Sequence, residues 1–171
     1  MTSHEGSRSL TEHTHIDTGP GESAPFHFES TWHVPGDPAT VWDVLSDMER
    51  WPHWWPGMSS ARLLRDGDAQ GQGKTVEFSV SSPLGYSLGF TVAVTSVAAP
   101  REATLTVDGD LRGVGLWSAR PVGDGTVASI VWCVTSRRRS VRLFRGLAPW
   151  AHGWVMRAGE RGLAHRVAGV S

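Results

Sequence analysis

Apolar and polar positions alternate from the mid-twenties of the chain onward. Phe26, Phe28, Ser30, Trp32 and Val34 fall on one side, and His27, Glu29, Thr31 and His33 on the other. A period of two predicts a half-buried strand with the first set turned toward a core. Pro35-Gly36-Asp37-Pro38 interrupts it in the order of a helix start. Asp37 is placed to cap, and Pro38 falls at the first helical position, where its missing N–H costs nothing. A short helix is predicted over residues 39–45. A second, capped by Asp47, is predicted to run through Glu49 and Trp51 and to be ended by Pro52 and Pro56. Beyond Gly57 strand-like blocks return at 61–65, 75–81, 86–98, 102–108, 111–121 and 126–136, parted by turn sequences such as Ser82-Pro83-Leu84-Gly85 and Asp108-Gly109-Asp110. In the longest block Tyr86, Leu88, Phe90, Val92 and Val94 share the predicted inward face. Seven strands joined by hairpin turns predict an antiparallel sheet.

Over residues 141–167 the period becomes helical. Phe144, Leu147, Ala148, Ala151, Val155, Ala158, Gly162 and Leu163 make an apolar stripe opposite Arg157, Glu160 and Arg161. Pro149 either kinks this helix or marks its start, at Pro149 or Trp150. Trp150 lies off the centre of the stripe, which predicts exposure or a contact with another chain, a homodimer included. Residues 1–25 are poor in large apolar side chains and are expected to form a disordered N-terminal tail. Residues 26–171 then make a single domain, as the length allows.

Charge narrows the partners. Sixteen Lys+Arg against seventeen Asp+Glu leave a formal net charge of −1, so no global field draws the chain to nucleic acid or to an anionic membrane. Arg137, Arg138, Arg139, Arg142 and Arg145 form a local run, read as a solvated turn. Cys133 is the only cysteine, so no intrachain disulfide can form, which suits a reducing cytoplasm. No segment has the roughly 18 consecutive apolar residues of a membrane span, and no signal-peptide order opens the sequence. A cytoplasmic protein without membrane insertion is expected.

The chemistry-bearing motifs are few. No Gly-rich phosphate loop, metal-spaced His/Cys cluster or nucleophile elbow occurs, so neither a metal nor a cofactor is expected. His27 and His33 share a face but lie roughly 20 Å apart along the strand, too far to share an ion. His4, His13 and His15 read as part of the solvated tail.

Val34-Pro35, Pro38, Val41-Trp42, Asp47, Trp51 and Trp54-Trp55-Pro56 together resemble the N-terminal signature of the START/SRPBCC superfamily, which includes polyketide cyclase/dehydrase-like proteins. Gly73, Pro100, Pro121 with Gly125-Thr126-Val127, and His152, Met156 and Gly159-Glu160 through Leu163 extend the likeness over residues 26–167. The resemblance implies an α+β helix-grip fold, a curved antiparallel sheet wrapped around a long C-terminal helix, with two short helices after strand one. It also implies a cavity between sheet and helix that binds an apolar or aromatic small molecule, lipid-like or polyketide-like.

On that expectation Trp55, Phe78, Tyr86, Phe90, Trp117, Trp132, His152, Val155 and Gly159 are the candidate ligand-binding residues. The small residues Ala148, Ala151, Gly159 and Gly162 either widen the cavity or let large sheet residues pack closely. Trp42 reads as core, and Trp51, Trp54 and Trp55 as packing or as a lid. The alternative function is a polyketide cyclase or dehydrase of the aromatase type. Glu77, Tyr86, Arg112, Ser118 and His152 are its candidate polar groups, and His152 and Tyr86 its candidate catalytic residues. A third reading is a protein-interaction module using Trp150, Trp154 and the Trp54-Trp55 corner.

Overall fold

A computed structural model describes residues 16–169. Seven strands form one sheet: β1 (Phe26–Pro35), β2 (Met58–Arg65), β3 (Thr75–Ser81), β4 (Ser87–Ala98), β5 (Glu102–Gly109), β6 (Leu111–Val122) and β7 (Gly125–Ser136). Their order is β1-β7-β6-β5-β4-β3-β2, antiparallel throughout. Every neighbour after β2 is a sequential hairpin, and β1 closes the far edge against β7. The helices are α1 (Pro38–Ser46), α2 (Trp51–Trp54), α3 (Arg139–Leu143) and α4 (Ala148–Ala168). Tight single turns at Met48–Arg50 and Arg145–Leu147 lead into α2 and α4. This is the helix-grip architecture expected, with α4 lying against the sheet.

Local sequence explains most boundaries. Asp37 accepts the Thr40 N–H at 2.9 Å and Pro38 opens α1, the cap arrangement read from the sequence. Gly36, at φ +91°, turns the chain out of β1 into that cap. Asp47 departs from expectation: it makes no cap hydrogen bond and pairs with Arg50 at 3.2 Å. Pro52 does not end the second helix but lies in its first turn, where a missing N–H is tolerated. Lys74, the only lysine, ties β3 to this corner through Glu49 at 2.6 Å and the Ser46 carbonyl at 3.1 Å.

The long C-terminal stripe is not one helix. The chain breaks between Leu143 and Ala148, and α4 begins with Pro149 in its first turn. Phe144 and Leu147, expected on the buried stripe, are exposed because they lie on the broken segment and not on α4.

The last ten residues of the expected tail are tied to the sheet. Within residues 16–25, Glu22 receives a two-pronged bond from Arg112, 2.8 Å from Nε and 2.6 Å from the guanidinium terminus. Ser23 exchanges two bonds with Ser136 of β7, and Arg145 donates to the Ala24 and Pro25 carbonyls. Polar pairing holds this segment where apolar content does not. Residues 1–15 of the expected tail lie outside the described residues. The arginine run is correspondingly not all solvated: Arg138 reaches Asp110 and the Ser87 carbonyl, and Arg145 lies over the Phe26 ring at 4.3 Å.

The core falls into three buried groups. The largest joins β1, β6 and β7 to α1, α2 and α4 through Trp32, Val41, Trp55, Ile130, Met156 and Leu163. A second, around Val76, Phe78, Val92 and Val107, lies under β3 to β5, and a third joins Phe26, Val134 and Val141. Trp132 packs against all three yet stays half-buried, so it stands where they fail to meet.

Candidate ligand cavity

A cavity of about 240 Å³ occupies that junction, between the concave face of the sheet, the α1–α2 corner and α4. Strand parity supplies most of its wall. Leu88, Phe90, Val92 and Val94 line it from β4, as their alternation requires, and Phe78 and Val80 from β3. An irregularity between Val94 and Ser96 resets the alternation, which returns Val97 to the wall. Gly115 on β6 pairs with Trp132 on β7, and a Cβ there would stand 3.1 Å from the indole. The missing side chain is what lets Trp132 lie over its neighbour.

Eight of the nine residues expected in the site line the cavity: Trp55, Phe78, Tyr86, Phe90, Trp117, Trp132, His152 and Val155. Gly159 does not. A Cβ at Gly159 would collide with the Trp55 indole, and one at Gly162 with the Trp54 carbonyl. These glycines let the α2 corner sit directly on the α4 backbone, whereas Ala148 and Ala151 face the cavity. The cavity-widening role thus occurs at Ala148 and Ala151, while the close packing at Gly159 and Gly162 is against the α2 corner and not against the sheet residues expected.

The tryptophans at the corner are fixed in place. Trp55 is buried, stacks on Trp54 at 5.5 Å and donates from Nε1 to the Val155 carbonyl at 2.9 Å. Trp51 stacks on Phe78 at 5.0 Å and donates to the Leu45 carbonyl at 3.0 Å. Trp51 and Trp55 form wall, and Trp54 is half-buried against Trp55. Trp42, read as core, also lines the cavity and packs on Trp117 at 5.4 Å.

The polar candidates mostly lie elsewhere. Glu77 pairs with Arg62 on an exposed surface, Arg112 holds Glu22, and Ser118 is not among the lining residues. His152 remains. Its ring stacks on Phe28 at 4.2 Å, its Nε2 is buried without a protein partner, and burial pushes its pKa down to about 4. It is therefore a neutral imidazole at physiological pH, because desolvation penalises the cation and no carboxylate is paired with it. Trp117 Nε1 is likewise buried without an acceptor among the described residues. Tyr86 stands at one end of the cavity, stacked on Phe144 at 6.3 Å.

Sequence reading missed Phe28 and Trp51 as wall residues. The signal for Phe28 was present, since it shares the inward face of β1 with Phe26 and Trp32. Nothing in the sequence orients Trp51, whose ring is placed by contacts from β3 and the end of α1. Among the described residues no cluster of three or more His, Cys, Asp or Glu is arranged to hold a metal, and no helix is long and apolar enough to cross a membrane.

Sheet, gripped helix and apolar cavity together define a helix-grip protein. The model of a family described as polyketide cyclase/dehydrase and lipid transport matches residues 25–168, and the chain belongs to that family. No curated protein matches it. Among solved structures, a protein of Thermus thermophilus is similar at 17% identity and TM-score 0.72, covering 85% of this chain and 99% of that one. A START superfamily protein of Mycobacterium smegmatis is similar at 19% identity and TM-score 0.70, with 85% and 99% covered. The Zhui aromatase/cyclase of Streptomyces follows at 16% and 0.67, with 85% and 94% covered. At such identities these likenesses establish the fold alone.

Proposed function

We propose that this protein binds and shields an apolar or aromatic small molecule in the cavity between sheet and α4. The observation that carries the reading is the wall itself, built from aromatic and aliphatic side chains around about 240 Å³. A dry apolar cavity of about 150 Å³ accepts benzene, so this one has room for a larger ring system or a folded chain. Few polar groups reach it. Its one imidazole is neutral and unpaired, an arrangement that favours holding a ligand over transforming it. With a single, buried cysteine and no cofactor motif, the cytoplasm is the compartment that suits it, without cofactor or nucleic-acid partner.

The enzymatic alternative, cyclisation or dehydration of a polyketide-like chain, rests on the family and on His152 in the cavity wall. A base with a pKa near 4 is poorly matched to proton transfer at neutrality. The experiment that tests the binding reading is saturable uptake of an environment-sensitive apolar dye, one per chain, followed by tryptophan emission. Val155→Trp adds roughly 90 Å³ of side chain to a close-packed wall and should abolish uptake without unfolding the protein. Dye binding that does not saturate, or that survives the blockage, sinks the cavity reading. Product formed from a polyketone, with turnover lowered by about 10²–10⁴ in His152→Phe or Tyr86→Phe, would establish the enzyme instead.

A further inference from the structure

The net charge of −1 conceals a segregation. Between Arg137 and Gly159 there are six arginines and neither an Asp nor a Glu. The same stretch holds most of the exposed large apolar side chains: Leu143 at 78%, Trp150 at 52%, Leu147 at 47%, with Phe144 and Trp154 also exposed. Leu143 ends α3, Leu147 closes the turn after it, and Trp150 and Trp154 stand in the first two turns of α4, so the exposed apolar side chains follow closely along this segment. Arg139 and Arg142 flank it and have no acidic partner among the described residues.

This segment borders the cavity. Val141 and Ala148 lie in the same segment and line the cavity wall, and Phe144 stacks on Tyr86 at the end of the β3–β4 turn. Ser82, Pro83 and Tyr86 line the cavity beside this segment and are half-buried, as is Ala148.

We propose that the exposed side chains from Leu143 to Trp154, with Arg139 and Arg142, form a docking surface for an anionic lipid bilayer beside the cavity wall. Leu, Phe and Trp on one side with arginine beside them is the composition of a segment that lies in the plane of an anionic interface. Arginine stems add apolar contact while their heads reach lipid phosphates. An apolar ligand has little solubility in water, and a cavity held beside a bilayer shortens its path between two apolar phases. The docking surface goes beyond the cavity-binding reading and is tested apart from it.

Co-sedimentation of the full chain with phosphatidylcholine vesicles containing about one-third phosphatidylglycerol, and with phosphatidylcholine alone, provides the test. Binding to the anionic vesicles is expected, weakening as salt shortens the screening length, with a blue shift of tryptophan emission. The Arg139→Ser/Arg142→Ser pair should weaken partitioning on the order of 10-fold, and Leu143→Ser/Trp150→Ser by at least as much. Both pairs should leave dye uptake by the protein in solution unchanged, which separates this proposal from the cavity. The arginine pair is exposed, so it keeps the test open even if the apolar pair does not fold. Absence of binding to anionic vesicles at low salt, or binding indifferent to both pairs, overturns the proposal. So does a wild-type dimer that Leu143→Ser/Trp150→Ser dissociates, since the surface would then belong to a second copy of the chain.

Discussion

His152 makes the stability of this protein depend on pH in a way that one substitution removes. In the folded chain burial lowers its pKa to about 4, against an ordinary value of 6.5 when unfolded. Between those values the unfolded chain binds a proton that the folded chain refuses, so acid favours unfolding. The stability tied to the neutral imidazole is complete above pH 6.5, falls as pH drops through 6.5 toward 4, and levels once the folded form is protonated too. A difference of this size corresponds to about 3 kcal/mol in full, of which about 2 kcal/mol is lost between pH 7 and pH 4.5. Carboxylates titrate over part of the same range, so wild type alone does not isolate the effect.

His152→Phe does isolate it. Phenylalanine keeps a planar ring against Phe28, which the imidazole stacks on at 4.2 Å, and carries no proton. Urea unfolding of both proteins at half-unit steps from pH 7.5 to 4.5 gives the difference directly. The variant should gain about 2 kcal/mol relative to wild type on acidification, with most of the change below pH 6.5. A difference that stays flat within about 0.5 kcal/mol would mean that the imidazole is protonated or solvated in the folded chain, and that its burial in the wall has been misjudged.

Two further substitutions test the packing and the docked segment. Gly162→Ala should destabilise by about 1–3 kcal/mol, because the collision with the Trp54 carbonyl outweighs the roughly 1 kcal/mol that alanine gains in a helix; a stabilised variant in urea melts would contradict the close approach of α2 and α4. Glu22→Gln should lower Tm at neutral pH by breaking the Arg112 pair. Hydrogen bonds from Arg112 lower the Glu22 pKa to about 2, so the deficit should be complete above the ordinary carboxylate range and shrink as pH falls toward 2. Equal melting temperatures would show that the Glu22–Arg112 pair contributes nothing.

The positions of the strands were legible because side-chain alternation and turn residues act locally. Thr75–Ser81 matches its expected block residue for residue, and the other strands differ at their ends, most at β2, which starts at Met58 instead of residue 61. Cap chemistry at Asp37 is equally local, a bond to a residue three places on. Part of the cavity wall could be named for the same reason, since strand parity sends Leu88, Phe90, Val92 and Val94 to one face without knowledge of their neighbours.

Non-local contacts decided the rest. Composition assigned residues 16–25 to a tail, yet the Glu22 side chain is buried against Arg112, ninety positions away, a partner no window on the sequence contains. Helical periodicity ran through Phe144 and Leu147, but the helix is interrupted there and both stay on the surface. Gly159 and Ala151 are both small residues of α4, and only the approach of Trp55 makes one a packing site and the other cavity wall. Sequence by itself determined the elements and their inward faces, because those follow from period and turn chemistry within a few residues. Tertiary structure decided which inward residues meet and which leave a gap, because a cavity is the space between elements and no single element carries it.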